Sequence, residues 1–339
     1  MTLLHGLKRV AIAAGLSLTA FAASSSLLAA ADFGDITFHL SWAKNVQAAG
    51  AYLAEETGAF KEAGFNSVEL VAGGTAGIPA TTALATGKAW IGVSDPLSVA
   101  SANAEGGDFR IVASLYQRSP YTIVSLKDNP INKPEDLIGK TIAVSNTSEG
   151  VWNAFLAINN LDPSQITRVP FSNDITIITT GGADAYLGFT VGGATLRSRG
   201  VEAQEFYLSE FGLEYVGEAL IAPKATIEGE RDKLKAFLTA WVKGWKAALA
   251  DPDEATRITV EKYGKEQNYK FEEQLLYFDI QSRFIETDET KENGIGTLTP
   301  RAQEANIAFL KLAGTETTAD ALFDLSVLDE VYADNPDLK

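Results

Sequence analysis

The stretch "LSWAKNVQAAGAYLAEETGAFKEAGF", residues 40–65, carries the first decision about the fold. A strand-like run ends at Trp42 and a polar loop holding Asn45 follows. An alanine-dense helix then closes near Gly58. Working outward, "DITFHLSW" (35–42) reads as a strand, "SVELVAG" (67–73) as the next, and "GIPATTALATG" (77–87) as a helix with Pro79 in its first turn. "AWIGVS", "DPLSVASANAEG" and "FRIVASLYQ" continue as strand, helix and strand up to Gln117. This alternation predicts an α/β layer with a largely parallel sheet. Ligands of such sheets gather outside the carboxyl ends of the strands, where Trp42, the "GGTAG" loop (73–77) and Ser94-Asp95 fall.

A second α/β unit starts after "RSPYTIVSLKDN" (118–129). In "KPEDLIGKTIAVSNTSEGVWNAFLAINNL" a strand ends near Ser145, and a helix opens at Thr147 or Ser148, whose hydroxyls suit N-caps. "ADAYLGF" (183–189) reads as a strand. "NDITIITTGG" (173–182) reads both ways: its β-branched residues favour a strand, while its place in the pattern calls for a helix. From Leu220 one more strand-like run gives way to helices only. Such a chain wraps back onto its first unit. The expected division is residues 1–31 as a signal peptide, 32–117 plus 221–339 as lobe 1, and 118–220 as lobe 2. Two crossings between lobes make a hinge over a central cleft.

Composition narrows the function. The 339 residues are 46% hydrophobic, contain no cysteine, and carry a formal charge of −16. Lys8 and Arg9, the apolar "VAIAAGLSLTAFAA" (10–23) and a small-residue site with Ala29 and Ala31 ahead of Asp32 read as a cleavable export signal. Without cysteine there is no disulfide, no thiolate metal site, no cysteine nucleophile and no lipid-modified cysteine. The predicted location is the periplasm, free of a lipid anchor. His5 leaves with the signal, so His39 alone remains, too few for a histidine-based zinc site or an imidazole pair. No phosphate loop of the G-x-x-x-x-G-K type exists. After cleavage 26 basic residues face 44 acidic ones. Such a chain repels phosphate backbones, so nucleic acid is not an expected partner.

Several segments in order along the chain resemble a known family. They are "AGAYLAEETGAFKEAGF", "ALATGKAWIGVSDPLSVASANAEG", "VASLYQRSP", "KPEDLIGKTIAV", "GGADAYLGF", "DPDEATRITVEKYG" and "NGIGTL", together covering most of residues 36–310. The chain resembles the substrate-binding proteins of bacterial ABC importers, in the group that binds thiamine pyrimidine precursors and riboflavin. Nitrate, sulfonate and taurine binders are more distant relatives. The resemblance implies a bilobed α/β periplasmic binding protein, type II-like, with two hinge crossings. It also implies a monomer that needs no cofactor and docks on a membrane permease. Distant eukaryotic relatives of the fold synthesise the thiamine pyrimidine with a cysteine-rich motif, histidine and a lysine-bound cofactor. This chain lacks the cysteines for that, and the expectation is a receptor rather than an enzyme.

The candidate ligand residues follow from the strand ends and the resemblance. Trp42 offers a flat face for a heterocycle, or else caps the core of the first lobe. Asn45 and Gln47 offer donors and acceptors to ring nitrogens and amines, and either could instead cap the helix. Ser94 and Asp95 end the third strand; Asp95 accepts from an exocyclic amine or caps the helix that Pro96 begins, with capping ahead. Gln117, Arg118 and Ser119 lie at the first crossing. Arg118 could neutralise an anion, although a surface arginine is the commoner outcome. Asn146 and Thr147 open the helix of the second lobe, a place that attracts anions, while Glu149 in the same turn opposes them. Trp152 reads as core and Asp184 as a residue serving the fold, while Phe189 and Thr190, at the end of that strand, are the better candidates for ligand contact. The set favours a flat nitrogen heterocycle of the thiamine-pyrimidine kind, with riboflavin next and small anions third.

Overall fold

Alternating burial in "GDITFH" builds the first strand, β1 (Gly34–His39), with Ile36 and Phe38 turned into the core. The structure, a computed structural model, describes residues 31–74 and 77–339. The export signal expected over residues 1–31 therefore lies outside the described residues, apart from Ala31, as do Thr75 and Ala76 of the "GGTAG" loop.

β2 (Phe65–Val71), β3 (Ile91–Ser94) and β4 (Phe109–Tyr116) follow β1. Between them run the helices α1 (Ala49–Glu56), α2 (Ala59–Glu62), α3 (Ala80–Ala85) and α4 (Pro96–Ala104). Gly58, at φ 78°, takes the left-handed conformation that separates α1 from α2. The chain then builds β5 (Tyr121–Leu126), β6 (Thr141–Val144), β7 (Thr167–Pro170), β8 (Ala185–Phe189) and β9 (Ala203–Tyr207). With these strands come α5 (Glu149–Ile158) and α6 (Gly192–Ser198). β10 (Gly217–Pro223) leads into the helical tail: α7 (Lys224–Gly229), α8 (Arg231–Ala250), α9 (Pro252–Ile258) and α10 (Phe271–Ile285). The tail ends with α11 (Asp288–Asn293), α12 (Pro300–Leu312), α13 (Ala319–Leu322) and α14 (Ser326–Asp334).

Two five-stranded sheets result, ordered β2-β1-β3-β10-β4 and β7-β6-β8-β5-β9. Neither is the largely parallel sheet that the alternation predicts. β1 pairs in parallel with β2 and β3, but β10 lies antiparallel between β3 and β4. In the second sheet β6 is parallel to β7 and β8, whereas β5 is antiparallel to β8 and β9. The cause is the route of the chain. β10 comes back from the other sheet instead of through a helical crossover, so no β-α-β unit sets its direction.

The ambiguous run 173–182 resolves into a short 3-10 turn, Ile175–Ile178. Asp174 starts it by accepting the Thr176 amide at 3.0 Å, and this local bond overrides the strand preference of the isoleucines. The hydroxyl caps expected for α5 are also replaced. Ser148 stands at the N-cap without a capping hydrogen bond, and a 3-10 turn, Asn146–Ser148, precedes it. Trp152 is core at 3% exposure, and Asp184 ties the second sheet together by accepting from the Thr141 amide and from Asn129.

α8 packs along α1 at very close range. A Cβ on Gly50 would stand 2.4 Å from the Trp245 ring, and one on Gly244 would stand 2.1 Å from the Gly50 carbonyl oxygen. The resulting core holds Phe38, Phe60, Phe237 and Trp241 beneath the first sheet. A second core joins residues of both sheets, with Val99, Ile111 and Phe309 on one side and Val151, Trp152 and Phe155 on the other. Among the described residues no helix is long and apolar enough to cross a membrane.

Candidate functional site

A crevice opens at the carboxyl ends of β1, β3 and β4, where Trp42 stands 40% exposed at its mouth. The Trp42 indole lies against Gly74, where a Cβ would meet the ring at 3.1 Å. Gly74 has φ 86°, so the loop reaches this conformation without a side chain in the way. Three polar side chains gather beside the indole. Ser41 donates its hydroxyl to Glu218 Oε2 at 2.7 Å, and Gln47 donates Nε2 to Glu218 Oε1 at 3.3 Å. Each carboxylate oxygen keeps acceptor capacity for one more donor.

Glu218 is an unusual residue for its place. It interrupts the apolar strand β10 and holds a left-handed backbone at φ 53°, a conformation that is strained for a side chain of this size. Its carboxyl is pushed up to about 7, chiefly because burial penalises the charge. The Ser41 hydrogen bond opposes this, and the Asp95 charge adds to it. Thr190, at the end of β8, is the second strained residue here, fully buried with φ 53°. Its amide donates to the Pro120 carbonyl at 2.8 Å, which ties the first crossing to β8. Burial also holds the Tyr116 and Tyr277 phenols far above their ordinary range, and the Glu218 charge pushes the same way.

The other predicted residues divide into two groups. Gln47 joins Trp42 on the crevice wall. Asn45 is buried and caps a 3-10 turn, Val46–Ala48, accepting the Gln47 amide at 2.9 Å while its own amide bonds the Gln47 side chain. Its role is to aim Gln47. Ser94 pairs with Ala219 at the seam between β3 and β10. Asp95 caps α4 by accepting the Ser98 amide at 3.0 Å, and it also accepts from the Tyr215 hydroxyl. Gln117 bonds the Ser114 carbonyl at 3.0 Å, Ser119 is fully buried, and Phe189 meets Tyr121 edge-on at 5.1 Å.

The remaining residues have partners other than those that line the crevice. Arg118 lays its guanidinium 5.0 Å above the Phe284 ring. Asn146 accepts from Arg168, Glu149 pairs with Arg168 at 2.8 Å, and the Thr147 hydroxyl meets that of Ser145. A residue of the second sheet also meets Asp95. Tyr121 stands between Ser148 and Asp95, its phenol raised first by burial and then by the Asp95 charge.

Glu218 and Ser41 were missed in the sequence. Glu218 did leave a signal, a lone charge inside the apolar run "YVGEALIAP", where an ionisable side chain needs a reason. His39 is buried with Nδ1 2.9 Å from the Leu40 carbonyl, and burial lowers its pKa. Among the described residues no three His, Asp or Glu side chains gather as a metal site.

Two mixed α/β sheets joined by two crossings, with a crevice at the strand ends, define the periplasmic binding protein fold. The chain belongs to the NMT1/THI5-like family, matching it over residues 45–255. No curated protein matches it by sequence. Among solved structures it is similar to a protein named as a periplasmic sulfonate-binding protein of an ABC transporter, SsuA from Methylobacillus flagellatus. The identity is 16% and the TM-score 0.66, covering 91% of this chain and 96% of that one. The aliphatic sulphonate-binding protein SsuA from Escherichia coli has 14% identity and a TM-score of 0.64, over 85% of this chain and 96% of that one. The desulfurization enzyme DszB has 14% identity and a TM-score of 0.56, over 88% and 99%. The fold thus serves named binding proteins and a named enzyme alike.

Proposed function

We propose that the protein is the periplasmic receptor of an ABC importer, and that it binds a flat, amine-bearing nitrogen heterocycle of the thiamine-pyrimidine kind. The two sheets, with β10 in the first, act as two lobes that close on the ligand. The closed form docks on a membrane permease. The mechanism is a higher affinity for ligand in the closed state, without catalysis. The fold, the family and the signal-like residues 1–31 support the receptor role.

The observation that carries the ligand class is Glu218 beside Trp42. A carboxylate with free acceptor capacity receives an exocyclic amine, and the indole stacks on the ring, which contributes about 0.5–1.5 kcal/mol beyond burial. Sulfonate and nitrate suit this place poorly. Asp95 and the ionised form of Glu218 would repel them, Arg118 is engaged with Phe284, and Arg168 is engaged with Glu149.

Thermal unfolding of the chain from Asp32 onward tests the reading against hydroxymethylpyrimidine and its aminomethyl relative, thiamine, riboflavin, taurine, an alkanesulfonate and nitrate. A ligand at a thousandfold excess over Kd stabilises by about 4 kcal/mol, a shift of several degrees. The expected result is a shift with the aminopyrimidines that disappears in Trp42→Ala. A shift with taurine, sulfonate or nitrate alone overturns the ligand class.

A further inference from the structure

Glutamine is mostly an exposed residue, and a buried one needs a reason. α10 buries two, Gln274 and Gln281, about two turns apart on one helical face. Both reach the same residue. The Val46 amide donates to Gln274 Oε1 at 3.2 Å, and Gln281 Nε2 donates to the Val46 carbonyl at 2.7 Å. Val46 stands at the far end of the loop that carries Trp42. Residues 41–45 form bends with neither helix nor strand, so their course depends on what holds them. At the near end the Leu40 amide donates to the Val71 carbonyl at 2.8 Å, and the Gly73 amide donates to the Trp42 carbonyl at 3.0 Å. At the far end the hold comes from α10. The turn ahead of that helix adds to it, since a Cβ on Gly264 would stand 2.5 Å from the Lys44 carbonyl oxygen.

The other atom of the Gln281 amide meets the first crossing. Its Oε1 accepts from the Tyr116 hydroxyl at 2.9 Å, and burial raises the Tyr116 phenol so that it keeps the proton it donates. Tyr116 ends β4, and the next amide, that of Gln117, donates to the Phe284 carbonyl of α10 at 2.9 Å. One side chain therefore joins the loop beside the crevice to the start of the crossing. We propose that Gln281 is a positioning residue for ligand binding: it sets the Trp42–Gln47 loop in its binding shape and ties that shape to the first crossing. Fully buried, it touches no ligand itself. The inference rests on the receptor reading, because it takes Trp42 and Gln47 as side chains that meet the ligand. Side chains fixed in advance need no ordering on binding, a gain of about tenfold in affinity for two of them.

The test uses the chain from Asp32 onward, which forms one compact unit, labelled with 5-fluorotryptophan. The fluorine signal of Trp42 is identified by its loss in Trp42→Phe. Gln281→Met keeps the length of the side chain and removes both of its hydrogen bonds, whereas Tyr116→Phe removes only the hydroxyl. Tyr332→Phe is the control, since it breaks a buried hydroxyl bond elsewhere, to the Ile295 carbonyl at 2.6 Å. Without ligand, the Trp42 signal is expected to shift or broaden in Gln281→Met and in Tyr116→Phe, and to stay in place in the control. Affinity for 4-amino-5-hydroxymethyl-2-methylpyrimidine, read by calorimetric titration, should fall about tenfold in Gln281→Met. In the control it should stay within about twofold of wild type. If Gln281→Met does not fold, the Trp42 signal of Tyr116→Phe decides alone. An unmoved signal in both variants overturns the positioning role, as does a moved signal with unchanged affinity. Failure of the wild type to bind the pyrimidine overturns the ligand reading instead, and the ligand-free spectra still decide whether Gln281 sets the loop.

Discussion

At the scale of single residues, Glu218 carries the clearest consequence. Its folded carboxyl titrates near 7, above the ordinary carboxylate value. Between those two values the folded protein holds a proton that the unfolded chain has released. Stability therefore falls as pH rises through that window and levels off above about 7. Replacing the group by a neutral amide removes this slope. Glu218→Gln is thus expected to gain melting temperature relative to wild type on going from pH 5 to pH 8, read as the difference between the two melting curves. An unchanged difference across that range would mean that the carboxyl is not perturbed. The sequence revealed some of this neighbourhood and hid the rest. The Asp95-Pro96 pair announced a helix start, because a capping carboxylate ahead of proline is a local signal. Glu218 lies 177 residues from Ser41 and 171 from Gln47, so no local pattern could show that the three meet.

At the scale of elements, the helix after Trp42 was legible from its alanine-rich run and the glycine at its end. The direction of β10 was not, because it depends on where the chain has been before it arrives. The short strands β7 and β9 carried too few buried residues to show any pattern. Glycines within helices usually count against helix formation. Here Gly50 and Gly244 are the reason that α1 and α8 can approach so closely. A methyl group on Gly244 has backbone in its way, and backbone cannot give as a flexible side chain would. Gly244→Ala is expected to destabilise the protein by about 2 kcal/mol despite the better helix propensity. Gly229, at the end of α7, has nothing within 4 Å of its missing Cβ, so Gly229→Ala serves as the control. Chemical unfolding curves of the two variants decide the matter. Equal stability would show that the helices can spread at no cost.

For the molecule as a whole, the question is whether two sheets mean two independently stable bodies. Two observations say that they do not. β10 occupies an interior position of the first sheet, between β3 and β4, and the chain reaches it only after building the second sheet. The first sheet is therefore incomplete until the second has been traversed. The apolar core also crosses from one sheet to the other. α12 packs on both α4 and α5, and Gly150 of α5 comes so near Leu97 that a Cβ would stand 2.8 Å from its methyl. Losing either sheet would expose this shared surface to water, at about 25 cal/mol for each Å² of apolar area. That cost couples the halves. Calorimetry of the ligand-free chain from Asp32 onward is accordingly expected to show one transition, with matching calorimetric and van't Hoff enthalpies. Two resolved transitions would mean that the shared core opens before either sheet melts. Closure on a ligand, as proposed, would then be a docking of separate bodies rather than a small movement about the two crossings.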